Sequence, residues 1–543
     1  MAGKKQNNIL VQGSILAVAS IIARLIGIAY RIPMSNMLGE EGNGIYSVAF
    51  NIYNTALIIS SYSLPLAVSK LISARRVKKQ YHNALQIFKN ALRFAVAAGL
   101  VAGLVLFLGA DFFETLYVRE GLAKPLRILA PTLFVVALLG VFRGYFQGRN
   151  TMVPTAFSQV FEQIINGIVS VVATYGFMKA HSASVQISAY GAAGGTLGTL
   201  TGAVGGLFFV LFVFYINYPM IRRGARKDMT GNRETNAEQM KLLILTILPV
   251  ILSQTVYQLS TTVDDALFGN LMTQRGYTEK VVGAMQGVYN SQYILLVNLP
   301  LSIATAMAAS SIPSIVGSYE MDRKGEVRKK TASLVKFNMV IAIPSAVGLA
   351  VLADPIMSLL FPSLVTYHDL AVGLTMTGSA AVIFFAFSTI TSAVLQGLDH
   401  MRVPVIHNAV SLVIHIVLVF VLLKFTPLGT YALIVGNVTF PIVVCILNGH
   451  AMRKYISYHQ EIIRSIFTPL FSSVIMGAAA YGTYHGINYL VHSSAISLGG
   501  SIVVAVLVYG LCILLFRCFG AQELRSLPMG TKIYRIARKL HLM

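Results

Sequence analysis

Two arginines lie on one face of the first long apolar segment, where an ionised side chain is costly. Arg24 and Arg31 are seven residues apart, so a helix places them within roughly 20° of each other and about 10 Å apart along its axis. A guanidinium stays charged when buried and binds phosphate in bidentate fashion. The pair therefore predicts an anion site, although Arg31, nearer the segment's end, could instead reach lipid headgroups.

A stripe of polar residues follows the fifth apolar segment. The spacing i, i+3, i+4, i+7 places one amide or carboxylate per turn on a single helix face, namely Gln159, Glu162, Gln163 and Asn166. The second segment adds Asn51 and Asn54. Interhelical hydrogen bonding is the alternative role for such residues, but a carboxylate in a membrane needs a cation, a proton or water. We predict that these side chains line a cavity.

Other polar groups fall inside apolar segments without forming a stripe. Arg143 lies in the fourth segment and faces either the cavity or the membrane surface. Asp264 and Asp265 lie in the seventh, and they belong either to the cavity or to the outer end of the helix. An ionised group costs about 2.5–3.5 kcal/mol in a spanning helix on insertion scales, so each of these residues is a candidate for function.

The composition places these residues in a membrane protein. Of 543 residues, 55% are hydrophobic and 11% are charged, and the mean hydropathy is +0.70. About 20 apolar residues cross a bilayer as a helix, which predicts about 14 segments here: 10–33, 44–70, 84–110, 125–148, 153–178, 190–219, 242–270, 283–315, 332–358, 369–397, 403–425, 428–450, 464–491 and 494–520.

Lysine and arginine are concentrated in every second gap between these segments. Cytoplasmic loops of membrane proteins are enriched in both residues, so both termini are predicted to be cytoplasmic. The net charge of +22 is explained by this topology, and we expect no nucleic-acid partner. The three cysteines lack metal-ligand spacing, so we expect neither a disulfide framework nor a metal site.

Short motifs repeat across the longest polar linker. Gln147-Gly148 followed by Pro154 matches Gln396-Gly397 followed by Pro404, a shift of about 249 residues. We therefore predict an all-α membrane protein with two pseudo-symmetric six-helix lobes, 1–221 and 242–452, joined by a cytoplasmic basic linker, 222–241. Two extra C-terminal helices and a basic cytoplasmic tail occupy 453–543. Such repeats are typical of transporters that work by alternating access.

No sequence motif indicates covalent chemistry. The chain has no Walker A loop and no nucleophile–base motif with a supporting context, so we expect a transporter and not an enzyme. A carbonyl-rich selectivity filter is also absent from the sequence, which argues against a channel.

Several stretches resemble bacterial lipid II flippases of the MurJ and stage V sporulation protein B type. They are ARLIGIAYRIP at 23–33, SLPLAVSK at 63–70, RGYFQG at 143–148 and VPTAFSQVFEQ at 153–163. The resemblance covers essentially the whole chain and places it in the multidrug/oligosaccharidyl-lipid/polysaccharide exporter superfamily. It implies a V-shaped pair of lobes, two essential arginines at Arg24 and Arg31, and a lipid-tail groove formed by the extra helices.

The resemblance also implies an energy source and partners. Family members use membrane potential or an ion gradient, Na+ or H+, without a cofactor. Asp264, Asp265 and Asn408 lie on helices near the family's cation site. We expect a monomeric, multi-pass protein of the bacterial plasma membrane that contacts membrane lipids and other cell-wall synthesis proteins.

These observations predict a flippase that moves lipid II, a peptidoglycan precursor, from the inner to the outer leaflet through a cationic cavity, with a role in cell-wall biogenesis and cell shape. Arg24, Arg31 and Arg143 would bind its pyrophosphate. Two alternatives remain: a flippase for another undecaprenyl-linked polysaccharide unit, and a drug/cation antiporter of the same superfamily.

Overall fold

The computed structural model describes residues 2–226, 228, 230–231 and 233–520, and side chains from residue 15 onward except at positions 17, 249, 253, 257, 309, 310 and 313. Within these ranges the chain forms helices and no strand. The first nine helices are α1 Ala2–Ser60, α2 Leu64–Val77, α3 Tyr81–Leu108, α4 Ala110–Leu116, α5 Ala123–Gly148, α6 Val153–Ala180, α7 Ile187–Arg226, α8 Asn236–Gln274 and α9 Glu279–Gly287.

A short π-helix, Val288–Tyr293, follows α9, and a second, Ile463–Phe467, precedes α17. The remaining helices are α10 Ile294–Glu320, α11 Lys324–Val351, α12 Ala353–Leu360, α13 His368–Gly378, α14 Ala380–Gly397, α15 Arg402–Phe425, α16 Tyr431–Ile456, α17 Thr468–Val491 and α18 Ser494–Leu515.

Thirteen helices in the described ranges are long and apolar enough to cross a membrane. The first of them runs over 60 residues from Val18 to Val77, and α1 within it is broken at Gly39, whose backbone leaves the helical region with φ 64° and ψ −170°. This length suits two crossings at about 20 residues each. The stretch therefore covers most of the first predicted segment and all of the second, and the predicted all-α membrane fold is confirmed.

The predicted boundaries miss several breaks inside segments. Segment two is interrupted between Ser60 and Leu64, and segment ten divides at Ser379 into α13 and α14. Segment nine ends in a separate short helix, α12, and segment three ends where another short helix, α4, begins. Hydropathy did not reveal these breaks, because the residues at each one are as apolar as their neighbours or too few to lower the average.

The described chain divides into two compact units, residues 1–287 and 288–543. The first unit thus includes α8 and α9, which the sequence assigned to the second predicted lobe. The division at 221 and 242 stays a prediction. The basic tail at 525–539 lies outside the described residues.

In the first unit, α5 packs against α2, α3 and α7. Its RGYFQG motif crosses the LPLAV motif of α2, and a Cβ added at Gly144 would lie 2.7 Å from the carbonyl oxygen of Pro65 and 2.9 Å from Cβ of Val68. Glycine at 144 therefore lets the two backbones approach, as small residues do at helix crossings in membranes. Two of the resembling motifs thus form one packing contact.

In the second unit, the two C-terminal helices pack on each other and on α11. Buried Met476 and Tyr484 of α17 join Leu352 in one apolar cluster, and the hydroxyl of Tyr509 on α18 donates to the carbonyl oxygen of Val340 at 2.8 Å. The helices that the sequence placed outside the repeat are therefore built into this unit.

The linker between α7 and α8 is anchored to the corner between α2 and α3. Nη2 of Arg75 lies 3.0 Å from Oε1 of Glu234, and the backbone amide of His82 donates to Asp228 at 2.8 Å. Thr235 and Glu238 form a capping box at the start of α8, which satisfies amides that lack a partner within the helix. The polar linker thus has a defined course over its described residues.

We expect Gly144→Ala to lower the free energy of unfolding by about 1–3 kcal/mol, because its Cβ would clash with the backbone of α2, which can move away only by distorting the helix packing. The control is Gly176→Ala on α6, where a Cβ has no neighbour within 4 Å, and where alanine should be neutral or stabilising by up to about 1 kcal/mol. Heating the purified protein and measuring the monodisperse fraction by size exclusion compares them. Equal stability of the two variants would contradict the close contact.

Candidate functional site

The polar stripe of α6 faces the arginine-bearing face of α1. The hydroxyl of Ser20 donates to Oε1 of Gln159 at 3.1 Å, and a Cβ on Gly27 would lie 3.5 Å from Oε1 of Gln163. Arg24 lies between these two contacts along α1, on the same face to within about 60°, and its side chain is exposed. The arginine-bearing face of α1 and the polar stripe of α6, which are remote in sequence, therefore lie next to each other.

Aromatic rings hold Arg31, the second arginine of α1. Its Cζ lies 5.0 Å from the centroid of the Phe50 ring, and Phe50 stacks on Tyr46 with a centroid separation of 5.8 Å. No carboxylate in the described ranges lies within salt-bridge distance of Arg31. A cation–π contact holds a guanidinium without cancelling its charge, so Arg31 remains a positive centre.

Arg143 is paired, in contrast, with a carboxylate of the stripe. Its Nη2 lies 2.6 Å from Oε2 of Glu162 and donates to Oγ of Ser158 at 2.7 Å. Both side chains of the pair are largely buried, with 13% and 20% exposed. Arg143 therefore turns into the protein and not to the membrane surface, and Glu162 compensates its charge.

The other predicted cavity residues divide between two environments. Nδ2 of Asn51 donates to Oδ2 of Asp265 at 2.7 Å, which links α1 to α8, and Asn54 is half-buried one turn further on. Asn166 is buried instead, accepts from Oγ of Ser170 at 2.9 Å, and lies beside Gly202 of α7. Asn166 thus packs between α6 and α7.

The residues predicted to couple an ion lie in different units. Asp264 and Asp265 are buried on α8 in the first unit, and Asn408 is half-buried on α15 in the second. Over the described ranges, no group of three or more His, Cys, Asp or Glu residues could hold a metal ion. The coupling role of these three residues stays a prediction.

The sequence reasoning missed one buried arginine. Arg119, in the loop between α4 and α5, is 3% exposed. Its guanidinium donates to the carbonyl oxygen of Glu279 at 2.7 Å and to Oε1 of Gln286, while Nε2 of Gln286 donates to the carbonyl oxygen of Asp265 at 2.8 Å. Arg119 thus ties the loop to α9 and, through Gln286, to α8. The hydroxyl of Tyr117 adds a bond to the carbonyl oxygen of Thr262 on α8 at 3.3 Å.

Burial lowers the pKa of Arg119 to about 10, and the nearby charges of Asp265, Glu279 and Glu41 oppose that shift. The guanidinium therefore stays charged at neutral pH. The residue before it, Val118, has φ 49°, a left-handed conformation that is unusual for a β-branched side chain. One sequence feature could have indicated Arg119: it is an arginine in a gap between apolar segments that was predicted to contain few cations.

Comparison with known proteins places this arrangement in a family. Residues 9–319, more than half of the chain, match the model of the family described as polysaccharide biosynthesis protein. The chain belongs to that family. It is 27% identical over 430 residues to the lipid II flippase MurJ of Bacillus subtilis, which covers 76% of this chain and 77% of MurJ.

Two further comparisons extend the likeness over nearly the full length. The chain is 24% identical to stage V sporulation protein B of Bacillus subtilis, over 95% of this chain and 96% of that protein. A solved structure of lipid II flippase MurJ in an inward closed conformation superposes with a TM-score of 0.64 at 16% identity, covering 92% of this chain and 98% of that chain.

A multidrug resistance transporter of the MATE family, from the MOP superfamily, superposes with a TM-score of 0.66 at 17% identity. The solved structures show that the fold is shared. The predicted family is therefore confirmed: the chain is a multi-pass protein of a bacterial inner membrane, with flippases and transporters, not enzymes, as relatives.

We expect Glu162→Gln to destabilise the protein by about 1–3 kcal/mol, because it leaves the guanidinium of Arg143 without a charge partner in a poorly hydrated place. The double variant Arg143→Met, Glu162→Gln should recover much of this loss, since replacing both members of a buried pair is often neutral. Unfolding temperatures of the two single variants and the double variant measure the coupling; strictly additive losses would show that the pair contributes no interaction energy.

Proposed function

We propose that this protein is a flippase that moves lipid II from the inner to the outer leaflet of the plasma membrane by alternating access. The observation that carries the proposal is the α1 face, on which Arg24 and Arg31 lie opposite the amides of α6 and on which Arg31 has no carboxylate partner in the described ranges. A cationic face beside amides suits a molecule that has both phosphates and sugar hydroxyls.

The substrate's parts match different residues of this face. The pyrophosphate binds Arg24 and Arg31, because guanidinium groups form short, charge-assisted hydrogen bonds to phosphate oxygens. The amides of Gln159 and Gln163 offer donors and acceptors to the sugars. Arg143 can bind the pyrophosphate only after its ion pair with Glu162 breaks. Its role in binding therefore requires it to exchange the carboxylate for the phosphate.

The charge of this face also supplies a route for resetting the empty carrier. An inside-negative potential acts on a cation with about 2.3 kcal/mol per charge per 100 mV across the membrane. Arg31 carries a charge that no carboxylate in the described part cancels, so the potential favours its return toward the inner leaflet. A Na+ or H+ gradient acting through Asp264, Asp265 or Asn408 is the alternative source of energy.

A second candidate is a flippase for another undecaprenyl-linked polysaccharide unit. The length of the match favours it, because the relative named for sporulation aligns over 95% of the chain and the MurJ relative over 76%. Both candidates use the same anion site, and they differ only in the headgroup. Drug export through a cation antiporter would need no cavity arginine.

Replacing Arg24 by alanine should abolish lipid II export, because losing a charge-assisted hydrogen bond lowers phosphate affinity by about 10- to 100-fold. The protein is depleted from its native cell, variants are supplied, and lipid II left on the inner leaflet is quantified with an externally added enzyme that degrades the headgroup. Wild type should restore degradation, Arg24→Ala should not, and Arg24→Lys should restore it in part.

The matched control is Arg223→Ala, which removes an exposed arginine at the end of α7 and should export normally. Normal export by Arg24→Ala would refute the anion site. Lipid II that stays accessible after depletion, with other lipid-linked sugars becoming protected, would select the second candidate.

A further inference from the structure

A small cavity lies in the first unit, away from the face formed by α1 and α6. It has a volume of about 200 Å3 and lies where α2, α5 and α7 end and α3 begins. Its polar lining consists of Arg76, Arg149, Tyr81 and Tyr145, and Gly224 borders it on α7. These helix ends adjoin the basic loops, so the predicted topology puts the cavity at the cytoplasmic surface.

The two arginines of this cavity face each other without a carboxylate. Arg76 and Arg149 lie close enough to repel electrostatically, and in the described ranges neither forms an ion pair. Nη1 of Arg149 is buried and has no hydrogen-bond partner among the described residues, while Cζ lies 5.7 Å from the ring centroid of Tyr145. A buried donor normally finds a partner, so this one is available to a ligand in the cavity as far as the described residues are concerned.

The neighbouring residue shows that the local fold can pair an arginine when pairing is needed. Arg75 meets Glu234 at 3.0 Å, and Asp228 accepts from the backbone amide of His82 at 2.8 Å. The linker's described carboxylates are thus engaged elsewhere, and no carboxylate of the described ranges neutralises the two arginines of the cavity. Two like charges held together are stabilised by an anion between them.

We propose that this cavity is a binding site for a phosphate group. Two guanidiniums match the several acceptor oxygens of phosphate, and the tyrosines can donate further hydrogen bonds. The volume is below the roughly 300–1,000 Å3 of pockets that enclose a drug-sized ligand, so the cavity holds a phosphate with a few attached atoms and excludes a sugar-bearing headgroup. It is therefore separate from the proposed transport site.

The same chemistry is offered by an anionic phospholipid headgroup and by soluble phosphate. Met220, which lines the cavity, has 56% of its surface exposed, and Val77, the residue after Arg76, has 81% exposed, so both offer apolar contacts to acyl chains. Basic pockets between spanning helices on the cytoplasmic side are known to bind anionic headgroups. The experiment therefore tests both sources.

The chain contains no tryptophan, so Val77→Trp introduces a single fluorophore beside the cavity. The full-length protein carrying it is placed in vesicles of phosphatidylcholine with either brominated phosphatidylglycerol or brominated phosphatidylcholine, and bromine quenching reports the lipid next to the indole. We expect an apparent preference of about fivefold or more for the anionic lipid. Arg149→Gln should reduce it to about one.

Two matched variants separate the cavity from general surface charge. Gly224→Leu keeps both arginines and fills the cavity, because a Cβ at 224 has no neighbour within 4 Å, so it should abolish the preference as well. Arg223→Gln removes an exposed charge one residue away and should leave the preference intact. Because Gly224→Leu keeps both charges, it remains a test of the cavity even if Arg149→Gln does not fold.

Soluble phosphate is tested in vesicles without anionic lipid. A saturable change in indole emission with added inorganic phosphate, lost in Arg149→Gln and Gly224→Leu, combined with no lipid preference, would support the site and assign it to a soluble ligand. The proposal is overturned if neither ligand produces a response, if Gly224→Leu retains the full response, or if Arg223→Gln loses as much as Arg149→Gln.

Discussion

The cost of placing charge in a low-dielectric membrane governs how the first unit arranges its arginines. An ion moved out of water must be paired, hydrated or held by polarisable groups. The unit uses two of these solutions: Arg143 is paired with Glu162, and Arg31 lies over Phe50. Only the first solution removes the charge from the field that an approaching anion feels.

This difference separates structural arginines from those that can bind a substrate. A paired guanidinium can accept a phosphate only by giving up its carboxylate, whereas a guanidinium over an aromatic ring keeps donors and charge available. The pairing of Arg143 therefore makes the face of α1 the stronger candidate for the proposed anion site. It also explains the carboxylate in the stripe of α6: Glu162 balances a buried cation and leaves the amides of Gln159 and Gln163 to face α1.

Much of this arrangement follows from sequence, and the rest depends on contacts between distant helices. Hydropathy located the spanning segments, and helical periodicity placed Arg24 with Arg31 and the α6 residues on single faces. Periodicity cannot say which neighbour covers a face, so Asn166, at the end of the predicted stripe, lies against Gly202 of α7. The partner of Arg143 and the burial of Arg119 were beyond reach for the same reason, since each depends on a fold-specific contact.

The contacts around Asp265 bear on how such a carrier could move. Asp265 accepts from Asn51 through its carboxylate and from Gln286 through its backbone, and Gln286 also holds Arg119. If the predicted lobe boundary at 242 is right, these bonds join the two lobes and must break in each cycle. The bond between Gln286 and the backbone of Asp265 contributes about 0.5–1.5 kcal/mol net, and the bonds to the Asp265 carboxylate and from the Arg119 guanidinium about 1.5–3 kcal/mol each, so opening must replace them with other contacts or with water. Arg119 contributes most to this cost, because its guanidinium is buried and must exchange its protein acceptors for water if the loop separates from α9.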